Sequence, residues 1–343
     1  MSRVYVGMSG GVDSSLTAAL LVEAGHQVTG VYMKNWTQDL PGMRCPWADD
    51  LADAKRVAVH LGIDFKVFDF EVAYRQKVVD YMISEYQAGC TPNPDIMCNQ
   101  EIKFKLFLET ALDEGADVVA TGHYAKTENG QLLLAVDANK DQTYFLYRVR
   151  GEALKRTMFP LGEFTKPEVR KMAAQRGLIT ATKKDSVGIC FVGQIGMREF
   201  LSQYVTTIPG DIIDTQTGAS IGRHDGAIFY TLGQRHGLDV GGGLPYYVVG
   251  KDMAKNEVYV STNLNDESLW RNEISLGSLH WINRTPPDGT YAVRVRHRAK
   301  LVACRLLGDK LIFDEPQRAV TPGQSAVLYD GEICIGGGIV LPL

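Results

Sequence analysis

No apolar run in the chain reaches membrane-spanning length, and residues 1–7 lead into a strand-like stretch rather than a basic flank and a long apolar segment. Membrane helices and a secretory leader are therefore unexpected, and the expected compartment is cytoplasmic. Cysteine is scarce and scattered, six in 343 residues, which excludes the disulfide framework of a small secreted module. No two cysteines have Cys-x-x-Cys spacing, so a zinc ribbon or a cysteine-ligated iron–sulfur cluster has weak support and no resident metal is expected. Excess positive charge is also missing: the formal net charge is -4, so a polyanionic partner would have to be held by a local basic patch. Low-complexity tracts and internal repeats are absent, which excludes fibrous and solenoid classes.

Hydrophobic residues make up 45% of the chain and charged residues 22%, the balance of a soluble globular enzyme, and 343 residues leave room for two or three domains. Strand-like runs at 4–8, 28–33, 65–70 and 117–121 alternate with helical spacing at 15–24, 48–61, 72–86 and 101–113. This alternation predicts an α/β fold with a doubly wound parallel sheet, ligands gathering at the carboxyl ends of its strands. Past about residue 205 glycine becomes dense and helical periodicity fades. Alternating runs at 291–295, 301–306, 325–329 and 332–335, punctuated by Pro-Asp-Gly and Asp-Gly, predict a small β-barrel. The expected organisation is a nucleotide-binding catalytic domain over 1–205, a small β-rich central domain over 206–265 and a C-terminal β-barrel over 266–343.

Between the first strand and the first helix stands Ser9-Gly10-Gly11-Val12-Asp13-Ser14-Ser15. Consecutive backbone N–H groups at a helix N-terminus make an anion site, the glycines let the backbone approach a phosphate, and the serines add hydroxyl donors. No Gly-Lys-Ser/Thr closes the loop, and the dinucleotide Gly-x-Gly-x-x-Gly pattern is absent. A loop without that lysine suits a pyrophosphate leaving group better than γ-phosphoryl transfer. The bland alternative, a tight turn with no ligand, fits a bare Gly-Gly better than this whole string.

Residues 91–99 form a proline-stiffened loop that should deliver Cys98 close to the start of a helix, where the dipole favours thiolate, as do Lys103 and Lys105 if they fold toward it. Asp95, three residues earlier, is placed to act as general acid or base if both side chains face one pocket. Cys190 lies in a short apolar segment after Lys183 and Lys184. Taken alone, each cysteine reads more readily as an inert buried thiol than as a catalyst. Cys45, Cys90, Cys304 and Cys334 are assigned to structure.

Four separated motifs change that reading: the Ser9–Ser15 string, Pro-Asn-Pro-Asp-x-x-Cys-Asn-x-x-Ile-Lys-Phe at 92–104, Gly-Ile-Cys-Phe at 188–191 and Tyr-Thr-Leu-Gly-Gln-Arg at 230–235. With Pro-Gly-Gln-Ser at 322–325 and Gly-Gly-Gly at 336–338, they resemble the bacterial-type tRNA-uridine 2-sulfurtransferases, or tRNA-specific 2-thiouridylases. The first string by itself is similar to the fingerprint of the PP-loop ATP pyrophosphatases. The resemblance implies ATP with Mg²⁺, adenylation of O2 of the wobble uridine at tRNA position 34, and sulfur arriving on a cysteine persulfide. The products would be 2-thiouridine, AMP and pyrophosphate. It further implies Cys190 as the persulfide carrier, Cys98 as the nucleophile, Asp95 as general acid or base, and a transient Cys98–Cys190 disulfide. ATP would touch Gly7, Met8, Ser9, Gly10, Gly11, Val12, Asp13, Ser14, Met33 and Gly122; the flipped target base would sit against Asn93, Pro94 and Asp95. His123, Lys140, Asp141, Gln142, Arg296, His297, Arg298 and Gln324 match tRNA-contacting positions, although His123 reads equally well as a structural residue. Implied partners are the tRNAs for lysine, glutamate and glutamine, and a persulfide relay protein or cysteine desulfurase.

Residues 290–305 hold five Lys or Arg and no Asp or Glu, and Arg294, Arg296 and Arg298 alternate with Val293, Val295 and His297. On a strand, that alternation would present the arginines from one face as a phosphate-binding stripe in the tRNA-binding barrel. Where the family has an Arg-Tyr-Arg-like sequence, this chain has His297 in the middle position, which puts that contact in doubt. Residues 166–184, with six basic side chains, offer a second basic stretch. The competing readings are another PP-loop adenylating enzyme, such as an amidotransferase-type synthetase or argininosuccinate synthetase, and an RNA-binding protein that has lost its chemistry.

Overall fold

In chain order the first strands are β1 (Arg3–Gly7), β2 (Gln27–Lys34), β3 (Asp64–Asp69), β4 (Val118–Thr121), the hairpin β5 (Lys126–Glu128) and β6 (Gln131–Leu133), and β7 (Thr157–Met158). This computed structural model describes residues 1–39, 45–184, 196–238, 240, 241, 243 and 245–342. Five of the strands form a wholly parallel sheet in the order β3-β2-β1-β4-β7, as the alternation predicts. Successive side chains of β1 face opposite sides: Val4 and Val6 enter one core, and Tyr5 enters the other. The chain steps outward from β1 through β2 to β3, then returns to place β4 on β1's other edge. The switch point therefore lies at the carboxyl ends of β1 and β4, where an open α/β sheet binds its ligands.

Helix α1 (Val12–Glu23) begins three residues earlier than its apolar spacing suggests, directly on the glycine loop. Helix α2 (Trp47–Leu61) buries Ala54, Val57 and Ala58 and stops at Gly62, whose positive φ of 65° ends the turn. The third helical region runs from Glu71 to Gln87 with a π-helical turn at Arg75–Val79. A second mixed rod runs through Pro94–Met97, a π-helical Cys98–Leu106 and Phe107–Asp113, with a break at Phe104.

The central unit is a four-stranded sheet of β8 (Gly210–Asp214), β9 (Ser220–His224), β10 (Tyr247–Asp252) and β11 (Glu257–Ser261), closed over Ile212, Val248, Val258 and Val260. Beyond it, β12 (Trp270–Trp281), β13 (Gly289–Arg294), β14 (Val302–Leu307), β15 (Lys310–Arg318), β16 (Ser325–Asp330) and β17 (Ile333–Val340) close into a barrel through the β12–β17 pairing. The expected barrel is present, with two strands that the sequence pattern concealed. In β12 the register shifts between Arg271 and Glu273 and again between Gly277 and His280, which breaks the period-two signal. The polar run Asp314-Glu315-Pro316 masks β15.

The hairpin β5–β6 leaves the first domain and adds to the barrel, Leu132 pairing with Cys334 and Leu133 with Ile333. Ile96, Phe104, Tyr144, Tyr147, Ile282 and Tyr329 pack together across this junction, so the cysteine-bearing rod and the barrel share one core.

Candidate functional site: a phosphate loop, a cysteine-bearing rod and the barrel rim

The loop Ser9–Ser15 is held by its own hydroxyls. The Ser14 hydroxyl accepts from the Ser9 N–H at 3.1 Å and donates to the Gly11 carbonyl at 3.2 Å, while the Ser15 hydroxyl donates to the same carbonyl at 2.8 Å. Gly10 has φ +72°, and a Cβ there would stand 2.3 Å from the Asp50 carbonyl oxygen. Gly11 caps α1 in an extended conformation with no side-chain cap, so the first N–H groups of a twelve-residue helix open on the loop without a side-chain acceptor. The remaining expected nucleotide positions gather here. A Cβ on Gly7 would meet the Met33 methyl at 2.9 Å, and one on Gly122 would meet the Asp13 and Ser14 backbone at 2.8 Å. Met8, Val12 and Ser14 are buried beneath.

The Asp13 carboxylate binds the Lys166 ammonium at 2.7 and 2.8 Å and accepts from the Tyr124 hydroxyl at 2.9 Å. Gln142 steadies Tyr124, its Oε1 accepting from the Tyr124 N–H at 2.9 Å. Sequence reading singled out Asp13 but not Lys166, whose position in a generic basic stretch gave it no distinction. That stretch is not a free basic surface: Lys183 pairs with Asp50 and Asp53, Arg176 pairs with Glu23, and Arg170 donates to the Ala181 and Lys183 carbonyls.

Cys98 corrects one expectation. The helix begins at Pro94, with the Asn93 side chain accepting from the Asp95 N–H at 3.2 Å, so Cys98 stands a full turn inside it rather than at its mouth. Its side chain is 6% exposed and packs in the core with Ile102 and Phe107. Next to it Asn99 is buried, donates to the Phe145 carbonyl at 3.0 Å, and keeps its own Oδ1 without a hydrogen-bond partner. Burial raises the Asp95 carboxyl above its ordinary value, with the Lys103 ammonium acting in the opposite direction. Lys103 reaches the His123 Nε2 at 3.5 Å, and Thr121 shares a 2.7 Å hydrogen bond with His123 Nδ1. His123 is enclosed by Phe104 and Phe159, and burial pushes its imidazole well below the usual range, so it is a neutral packing residue. It follows Gly122 in the chain, so the rod that carries Asp95 and Cys98 lies against the residue adjoining the phosphate loop's support. Cys190 falls outside the described residues.

The barrel rim completes the site. Gln324 donates to the Thr91 carbonyl at 2.6 Å, and the Thr91 N–H donates to the Pro322 carbonyl at 2.9 Å, so this turn clamps the segment leading to Asn93, Pro94 and Asp95. The expected arginine stripe is corrected: β13 ends at Arg294, which turns inward to the buried Asp141 carboxylate at 3.0 Å and over the Tyr329 ring. Asp141 also accepts from the Ala135 N–H and the Thr143 hydroxyl, which commits its carboxylate to the fold rather than to a ligand. Lys140 precedes it, its N–H bound by Asp137. Arg296 and Arg298 are exposed in the turn after β13, Arg298 with φ +62°. Between them the His297 ring stacks on Phe145, centroids 4.4 Å apart, the same residue whose carbonyl Asn99 holds. Burial, with help from Arg298 and Arg294, lowers His297 to about 4.

Cys45 and Cys90 are buried with their thiols pushed up by desolvation, Cys304 is pushed up to about 11, and Cys334 higher still. Among the described residues no cluster of three metal-ligating side chains occurs, and no helix is long and apolar enough to cross a membrane.

Comparisons with known proteins agree with this geometry. Residues 2–194 match the family described as tRNA methyl transferase HUP domain, residues 198–262 its PRC-barrel domain, and residues 271–340 an aminomethyltransferase β-barrel domain. The chain is 48% identical to the tRNA-specific 2-thiouridylase MnmA of Haemophilus ducreyi, covering 98% of this chain and 92% of that one. It is 50% identical to the protein of the same name from Neisseria meningitidis serogroup A, covering 99% and 95%. A solved 4-thiouridine synthetase–RNA complex with bound ATP aligns at TM-score 0.39 and 16% identity over 59% of this chain and 50% of that one, too weak a likeness to bear on activity. Full-length identity near one half, with all three family segments in order, places this chain in the tRNA-specific 2-thiouridylase family.

Proposed function

We propose that the protein uses ATP to convert the wobble uridine of tRNA to 2-thiouridine, releasing AMP and pyrophosphate. The observation that carries this reading is the continuity of the site: Gly122 packs on the phosphate loop, His123 beside it meets Lys103, and the same rod carries Asp95 and Cys98. A nucleotide fits the residues present, because the start of α1 offers uncapped N–H groups and Asp13 offers a carboxylate for Mg²⁺, the phosphates supplying its other oxygens. Uracil O2 would displace pyrophosphate from the α-phosphorus of ATP, making C2 electrophilic. Asp95, its carboxyl raised by burial, is suited to hold or move a proton at the uracil.

The family motif assigns the persulfide to Cys190. Its terminal sulfur, or hydrosulfide released when Cys98 attacks it, would bond to C2 as AMP leaves, and the cysteines would end as a Cys98–Cys190 disulfide that an external thiol reduces. Cys98 is buried as described, so the reaction requires the rod to shift when tRNA docks. Arg296 and Arg298 flank His297 where the barrel meets this rod, a position suited to the RNA backbone. The expected substrates are tRNAs for lysine, glutamate and glutamine, with a persulfide relay protein or cysteine desulfurase as donor.

The test is sulfur incorporation into unmodified tRNA with ATP and a persulfide donor, with tRNA binding measured in parallel. Cys98→Ser and Cys190→Ser should bind tRNA but not thiolate it; full activity in Cys190→Ser with the physiological donor would move the persulfide to another cysteine.

A further inference from the structure

The phosphate loop has an electrostatic deficit. Its serine hydroxyls are turned onto the loop's own backbone, and its string contains an aspartate but no lysine. Backbone N–H groups alone would face the several negative charges of a triphosphate, with the Asp13 carboxylate adding another. A cation is nevertheless delivered to this point from more than 150 residues away: the Lys166 ammonium bonds both Asp13 oxygens and lies 5.7 Å from the Tyr124 ring. Asp13 is one-third exposed, so the pair opens toward the loop mouth rather than lying in the core.

The delivery is rigid. Lys166 is the first residue of the Lys166–Gln175 helix, fixed there by a capping box in which Thr165 and Glu168 bind each other's backbone and side chain, by Pro167 in the first turn, and by the Asp137 carboxylate accepting the Lys166 N–H at 2.9 Å. The Lys166 residue is 8% exposed, so its stem is packed and its ammonium is confined to the loop's neighbourhood. A solvated surface lysine serving as a casual counter-ion would need none of this.

We infer that Lys166 is the phosphate-binding lysine of this loop: Asp13 holds its ammonium at the loop, and the ammonium binds the pyrophosphate end of ATP while Asp13 takes Mg²⁺. This inference rests on the adenylation reading above and adds a substrate-contacting residue to it. In that step the bond between the α-phosphorus and the pyrophosphate oxygen breaks, its electron pair leaving with pyrophosphate as uracil O2 bonds to phosphorus. Lys166 offsets the charge on the departing group and keeps its proton. No electron is gained or lost.

The test is equilibrium binding of ATP, pyrophosphate and adenosine to the full-length chain without tRNA, with and without Mg²⁺. Lys166→Met should lose about tenfold or more in affinity for ATP and pyrophosphate while binding adenosine as wild type does, and Lys166→Arg should recover most of the loss. Because Lys166→Met strands the Asp13 carboxylate and can unfold the domain, Asp13→Asn and the Asp13→Asn/Lys166→Met pair provide an independent arm. Without Mg²⁺, Asp13→Asn should bind pyrophosphate more tightly than wild type, since the ammonium is no longer held, and the double variant should abolish that gain. Unchanged ATP affinity in folded Lys166→Met, or an Asp13→Asn gain that survives in the double variant, would reduce Lys166 to a structural counter-ion. Wild type that binds no ATP would instead overturn the adenylation reading itself, so the two failures are separable.

Discussion

At the scale of single residues, function and stability pull Asp95 in opposite directions. Desolvation raises its carboxyl pKa in the folded chain, so relative to the unfolded chain its contribution is favourable below the ordinary value of 3.8 and is lost as pH rises through the raised folded value. At neutral pH the ionised side chain is therefore a cost, tolerable where the group has chemistry to do. Asp95→Asn should raise the thermal midpoint, by about 1–3 °C, and lower the thiolation rate by about 10²–10⁴ with tRNA binding unchanged. Calorimetry and single-turnover thiolation on the same preparation check both signs; a variant that loses activity and stability together would make Asp95 a structural residue. Asp95 was legible from its spacing to Cys98. Lys166 was not, because charge counted along a segment does not say which lysine the fold carries to an aspartate 153 positions away.

At the scale of elements, two backbone contacts decide whether the loop keeps its shape. Gly122→Ala would drive a Cβ to within 2.8 Å of the Asp13 and Ser14 backbone, neither of which is a flexible side-chain tip. The loop must move, and ATP affinity should fall about tenfold or more, read by equilibrium binding with unchanged far-ultraviolet circular dichroism. The β13 end gives a second case. Arg294→Met leaves Asp141 charged and buried with the Ala135 N–H and the Thr143 hydroxyl, which should cost about 3–5 kcal/mol in denaturant unfolding. Adding Asp141→Asn should recover part of that loss, since it removes the uncompensated charge. Elements themselves were readable where period and punctuation agreed, as in α2 ending on Gly62. They were obscured where local geometry broke the period: the π-helical turn in the cysteine rod and the two register shifts of β12 each displace side chains from the expected face. The early start of the cysteine rod was written in Asn93-Pro94, a capping residue and a first-turn proline that loop-like composition concealed.

At the scale of the whole molecule, the barrel is joined to the nucleotide-binding domain by contacts that sequence patterning does not reveal: the β5–β6 hairpin, the Arg294–Asp141 pair and the rings around Phe145. Two of the histidines at this junction make it sensitive to acid. His297, beside Phe145, and His280, beside Arg148 and Val149, are each lowered to about 4 by burial and neighbouring arginines. A histidine whose folded value lies below its unfolded 6.5 contributes stability that is present above 6.5 and is lost as pH falls toward the folded value, because the unfolded chain takes up the proton first. Between pH 6.5 and about 4 each such group adds at most about 1.4 kcal/mol per pH unit to the slope, an upper bound since both rings are half-exposed. Denaturant midpoints should therefore fall between pH 7.5 and 5, before most carboxylates titrate. His297→Phe, which keeps an aromatic ring against Phe145 without a proton site, should flatten that fall while leaving the midpoint at pH 7.5 nearly unchanged. An identical slope in wild type and His297→Phe would place the acid sensitivity elsewhere, with His280→Phe as the next comparison.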